Sequence, residues 1–194
     1  NNYLMCIVYI ADRYGLSVTD VTTGEYMVTE LDDSDRLRDE IHKFMPSEII
    51  CNEPFYMSGM NLDDLRDRLG IAISALDAWY FDDELSRRTL LDHFHVGTLD
   101  GLGLADYDCG VIAAGALMKF LEETQKTSLE HIRKITCYTT GKYMVLDSST
   151  RRNLELCETL REKQKKGSLL WVLDKTKTAM GARPLRKNVE QPLI

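Results

Sequence analysis

The chain has 194 residues and is 44% hydrophobic, enough to bury one good core and part of a second domain. No run approaches the ~18 apolar residues that cross a bilayer, so no membrane span is expected. The net charge of −7 is unevenly spread: residues 1–150 hold 13 basic and 26 acidic side chains, residues 151–194 hold 11 and 5. So acidic a body is a poor binder of phosphate backbones, and the change of sign near residue 150 marks a candidate domain boundary.

YLMCIVYI (3–10) is a continuous apolar run with β-branched and aromatic members, as in a strand buried on both faces. The N-terminus lacks a basic region, which argues against a secretory leader. In GLSVTDVTTGEYMVTEL, Leu16 and Val18 alternate with polar residues, Thr23-Gly24 supplies a turn, and Tyr26 and Val28 share a face of the returning strand. Three strands with short turns predict an antiparallel meander.

DDSDRLRDEIHKFMP predicts a helix capped by Asp33 or Ser34, with Leu37, Ile41, Phe44 and Met45 on its apolar face and Pro46 ending it. SEIICNE (47–53) then reads as a strand returning parallel to the first through this crossover. NLDDLRDRLG predicts a second helix, capped by Asn61 and closed by Gly70. ISALDAWYF (73–81) predicts a strand and DDELSRRTLLDHF a further helix. After the loop VGTLDGLGLADYDCG, VIAAGALMKFL (111–121) is apolar nearly all round, the mark of a buried helix. IRKITCYTTGKYMVLD predicts a hairpin turning at Thr140-Gly141, and Ser148 or Ser149 caps a long charged helix. The order predicts an α/β fold: a ribonuclease H-like mixed sheet flanked by helices over 1–147, followed by an α-helical partial domain over 148–194.

Ribonuclease H-like nucleases hold two metal ions with carboxylates, one from the middle of the first strand and another from the end of the neighbouring parallel strand. Here residues 3–10 contain no acid. Asp12, Glu53 and Asp77 offer the alternative reading, a weak metal-dependent nuclease site. His93 and His95 stand two apart, a spacing that does not share a helix face. Gly101-x-Gly103 is followed by Asp106 where a dinucleotide fingerprint needs its third glycine, and no G-x-x-x-x-G-K-[ST] occurs. Cys6, Cys51, Cys109, Cys137 and Cys157 are scattered without a C-x-x-C, so they read as small core residues in a reducing cytoplasm. The residues themselves point to no enzyme.

YMVLDSSTRRNLEL (143–156) and LDKTKTAMGARPLRKNVEQPL (173–193) together resemble the MutS family of mismatch-recognition proteins, as does FLEETQKTSLEHIRKI (120–135). The resemblance covers most of the chain and implies a fragment: the connector domain followed by the first helices of the core and lever region. It implies a parent ATPase, homodimeric and cytoplasmic, that finds mispaired DNA, uses ATP and magnesium, and recruits MutL. The mismatch-reading F-x-E motif and the ATPase motifs belong to other parts of such a parent. The fragment would be non-catalytic, without cofactor or metal of its own.

The resemblance also implies a MutL-docking surface on the connector. Asp100, Asp106, Glu122, Glu123, Gln125 and Lys126 are its candidate residues, and Arg151, Arg152, Asn153 and Glu155 are candidates for the junction with the core. Two positions depart from the family pattern. Pro184 stands where an apolar residue is usual, and Asn188 replaces an aromatic one. In a final helix capped by Thr178, Pro184 would remove the hydrogen bond to Met180 at about 3 kcal/mol. Leu169, Leu170, Val172 and Leu173, continued by Met180, Leu185, Val189 and Leu193, predict a tail that must pack on something else.

Overall fold

The computed structural model describes residues 2–140 in full, and the backbone of Val172–Lys177 and Met180–Pro184. Residues 2–10 and 14–138 form one compact unit; Ala11–Arg13 and the chain from Thr139 onward form a second.

β1 (Tyr3–Ile10), β2 (Arg13–Asp20) and β3 (Glu25–Leu31) are the expected meander. Ala11 and Asp12 turn β1 into β2 with φ of 52° and 63°, the left-handed pair that a two-residue hairpin demands. β2 and β3 pair antiparallel from Tyr14↔Leu31 to Asp20↔Glu25. Helix α1 (Ser34–Phe44) carries the chain over to β4 (Glu48–Cys51), which runs parallel to β1 with Cys6 opposite Ile50. α2 (Glu53–Tyr56) and α3 (Leu62–Leu69) lead to β5 (Ala72–Ala75), parallel to β4. α4 (Asp83–Phe94) and α5 (Cys109–Thr124) precede β6 (Thr136–Cys137), which joins the far edge parallel to β3. The order β5-β4-β1-β2-β3-β6 is the ribonuclease H-like arrangement, a mixed sheet flanked by helices.

Helices on both faces explain why β1 is apolar throughout. Cys6 and Val8 join Tyr26, Val28 and Ile50 beneath α5, whose Val111, Ala114, Leu117, Met118 and Leu121 are buried. Met5 and Ile7 point the other way, to Leu37 and Ile41 of α1, Phe55 of α2 and Leu65 of α3. Successive strand residues face opposite sides, so each face needs its own apolar set. Three glycines admit the helices. A Cβ on Gly15 would lie 2.1 Å from the Cys109 carbonyl oxygen, and one on Gly115 would lie 2.5 Å from Ser86 Cα. A Cβ on Gly110 would lie 3.0 Å from Glu30 Cγ.

The helix ends follow the sequence signals. Asp33, Asn61 and Asp82 accept hydrogen bonds from the first-turn amides of α1, α3 and α4, and Gly70 closes α3 in the left-handed region. Met45, expected on the apolar face of α1, instead caps its C-terminus at φ 43° and is exposed.

Other expectations are corrected. The strand over 73–81 stops at Ala75, and Ala78–Phe81 form a 3-10 turn. β5 can pair only as far as β4 extends, and β4 ends at Cys51, where Asn52 starts α2. The first arm of the predicted 130s hairpin is the two-residue β6, and its return arm at 141–147 lies outside the described residues. β6 is prolonged by Tyr138. Its N–H donates to the Val28 carbonyl at 3.1 Å, its carbonyl accepts from Thr29 Oγ1 at 2.6 Å, and its hydroxyl donates to Glu40 Oε1 at 2.9 Å.

In the second unit, β7 (Val172–Lys177) pairs antiparallel with β8 (Met180–Pro184). This corrects the helix expected after Thr178 over the residues of β8. Pro184, which would break that helix from within, lies on an edge strand of a two-stranded sheet, a place proline tolerates. The charged helix expected from Ser148 or Ser149 lies outside the described residues.

Candidate functional site

The centre of β1, where a nuclease of this fold places its first acid, holds Cys6 and Ile7, both fully buried. Burial pushes the Cys6 thiol well above its usual pKa, with a further contribution from Cys51. The Cys51 thiol, at the end of β4, is raised by burial to about 12. Neither thiol supplies the anion that a hard metal needs.

Asn52 occupies the second acid position and is only 6% exposed. Its Oδ1 accepts the N–H groups of Tyr9 at 3.0 Å and Phe55 at 3.2 Å, while its Nδ2 donates to the Tyr9 carbonyl at 3.2 Å. The side chain therefore ties the ends of β1 and β4 together and caps α2.

Of the residues in the nuclease reading, Asp12 lies in the β1–β2 turn, Glu53 opens α2, and Asp77 precedes the 3-10 turn; all three are exposed. Among the described residues, three potential metal ligands converge within 4.8 Å at Glu30, Asp108 and Cys109, a group that includes none of them. Glu30 Oε2 accepts the N–H groups of Asp108 and Gly110, each at 2.7 Å. That carboxylate thus satisfies open amides and the positive end of the α5 dipole. Sequence reading missed Glu30, because its partners lie 78 and 80 residues away.

The docking candidates are all exposed, but they divide between the two ends of α5. Asp100 sits in the 3-10 turn Leu99–Leu102, and Asp106 just before α5. Glu122 and Glu123 lie in its last turn, Gln125 caps it, and Lys126 follows. Sixteen helical residues span about 24 Å, so these residues make two patches.

At the C-terminal patch, Tyr80 Oη donates to Glu123 Oε1 at 3.2 Å. Trp79 stacks on Tyr80 with ring centroids 4.0 Å apart and planes 21° from parallel, and Trp79 is 46% exposed. Partial burial raises the Tyr80 pKa, helped by the hydrogen bond and charge of Glu123 and by the charge of Asp77. Lys119 pairs with Glu122 at 3.8 Å. His93 and His95 diverge: His93 Nε2 contacts the Ile132 carbonyl at 2.8 Å, and His95 caps α4 in the left-handed region. Arg151, Arg152, Asn153 and Glu155 lie outside the described residues.

The ribonuclease H-like sheet thus carries a buried thiol and a buried amide at the two positions where a nuclease of this fold places its main acids. Residues 2–133 match the family model of MutS domain II, and residues 149–194 that of MutS domain III. The DNA mismatch repair protein MutS of Lachnoclostridium phytofermentans is 60% identical over 194 residues, covering 100% of this chain and 21% of that protein. Those of Ruminiclostridium cellulolyticum and Acetivibrio thermocellus are 46% and 44% identical over 197 residues, each covering 100% of this chain and 22% of the relative. The chain belongs to the MutS family, and it spans about a fifth of the length of these relatives. No helix among the described residues is long and apolar enough to cross a membrane.

Proposed function

We propose that this chain is the connector of a mismatch repair ATPase that recognises mispaired DNA, a non-catalytic link between DNA-reading and ATPase regions that also contributes to MutL docking. The observation that carries the non-catalytic reading is Asn52, whose three hydrogen bonds commit to backbone the position a nuclease gives to a metal-binding acid. In this reading the connector covers residues 1–147 and the core begins at 148. Arg151, Arg152, Asn153 and Glu155 steady the junction. ATP, magnesium and the mismatched duplex are handled by other regions of a homodimeric cytoplasmic parent. The docking surface draws on Asp100, Asp106, Glu122, Glu123, Gln125 and Lys126, whose acidic majority favours a protein partner over phosphate.

The test is binding of this chain to MutL on a biosensor, with a mismatched duplex in parallel at physiological salt. Binding to MutL without binding to the duplex is the expected result. Binding to the duplex alone, with a steep salt dependence, would move the function to the basic segment beyond residue 150. Magnesium- or manganese-dependent DNA cleavage that vanishes in Asp12→Ala or Glu53→Ala would restore the nuclease reading.

A further inference from the structure

We infer that the Trp79–Tyr80 stack and the acids around it form a recognition site for an arginine-bearing basic segment of a protein partner. The site is built where a short turn meets a helix. The 3-10 turn Ala78–Phe81 leads directly into α4, whose first amides Asp82 caps. Tyr80 is fixed on one side by its hydrogen bond to Glu123 and on its ring face by Trp79. An exposed tryptophan held flat on a second aromatic ring offers a large contact area with little rotamer freedom left to lose.

The charge around this stack is mostly acidic, with Lys126 the nearby cation that no acid among the described residues pairs. Asp77, Asp82 and Glu123 are exposed and have no cationic partner among the described residues. The neighbouring acids Asp83, Glu84 and Glu122 are already paired with Arg87, Arg88 and Lys119. The exposed Trp79 beside carboxylates that lack a cation suits a guanidinium, which stacks on rings and bonds carboxylates in a fork, better than a point-like ammonium. The same acids repel a phosphate backbone, which sets nucleic acid aside as occupant. This surface includes Glu123 and so rests on the docking reading of the C-terminal end of α5. It adds what that reading lacks, an aromatic centre and the chemistry of the bound side chain.

The probe is hexa-arginine amide, titrated into the 194-residue chain carrying Trp171→Phe. The chain has two tryptophans, so emission then reports Trp79 alone. Saturable quenching is expected, with affinity lowered about tenfold in Asp77→Asn/Glu123→Gln and several-fold weaker with hexa-lysine. Calorimetry on the otherwise unaltered chain gives a second readout, in which Trp79→Ala removes most of the binding heat. An absence of saturable change, equal affinity for the double variant, or equal saturation by hexa-glutamate overturns the assignment. The two readings fail separately. MutL capture that survives a silent peptide titration sinks this site alone, and peptide binding without MutL capture sinks the docking reading alone.

Discussion

Asn52 and Tyr9 hold each other by two hydrogen bonds, the Tyr9 N–H donating to Oδ1 at 3.0 Å and Nδ2 donating to the Tyr9 carbonyl at 3.2 Å. The pair closes the junction of two parallel strands where the ladder itself ends.

Asn52→Asp keeps the acceptor for Tyr9 and Phe55 but removes the donor and sets a carboxylate against a carbonyl. The cost is about 1–3 kcal/mol, since a buried acceptor loses its partner. Urea unfolding measures it, and an unchanged midpoint would refute the structural role. The same variant is expected to gain no magnesium-dependent cleavage, because Cys6 and Ile7 still fill the opposing position.

Glu30 is a second long-range fastening. Glu30→Gln preserves an acceptor but loses the charge at the α5 N-terminus, for about 1 kcal/mol. Glu30→Ala removes the acceptor for two amides and should cost about twice as much. The ranking, read from denaturant midpoints, is the diagnostic: equal losses would mean that Glu30 acts by bulk alone.

Gly115→Ala sets a helix-propensity gain of about 1 kcal/mol against a Cβ placed 2.5 Å from Ser86 Cα. Overpacking of this kind costs about 1–3 kcal/mol, more where backbone must move, so a net loss of stability is expected. Gly97→Ala is the control, with nothing within 4 Å of its added methyl. A thermal midpoint for Gly115→Ala at or above the parent value would show that the α4–α5 contact is looser than described.

Alkaline pH should weaken the fold. The Cys51 thiol is raised from 9.0 to about 12, so the folded state favours the neutral form. Its contribution is fully present below pH 9, where the thiol is neutral in both states, and is lost as pH rises toward 12. Burial likewise raises Tyr26 and Tyr138. Unfolding free energy measured across this window should fall, and fall less steeply in Cys51→Val. In the native chain Cys51 should resist alkylation at pH 8, and rapid labelling there would contradict its burial.

Local signals were legible and distant ones were not. The apolar run of β1, the Thr23-Gly24 turn and the caps Asp33 and Asn61 are written within a few residues of where they act. Asn52 followed by Pro54 is the start signal of the short α2, but the apolar run SEIIC that precedes it makes Asn52 look like the end of a strand. Trp79 and Tyr80 misled in the other direction. Their β-propensity suggested a strand, but strand length was set by β4, which no local pattern reveals. Glu30 is one acid among 31 until the fold brings α5 over β3. The docking candidates lie within 27 residues of one another in sequence, from Asp100 to Lys126, yet α5 separates them by its whole length.

Tyr138, the last residue of the first unit, is secured at three points to Val28, Thr29 and Glu40. Tension arriving along the chain from beyond it would meet these fastenings together. The edge strand β6, only two residues long, is thereby protected from unzipping, and a pull at this exit is delivered to α1 and β3 and so to the sheet as a whole.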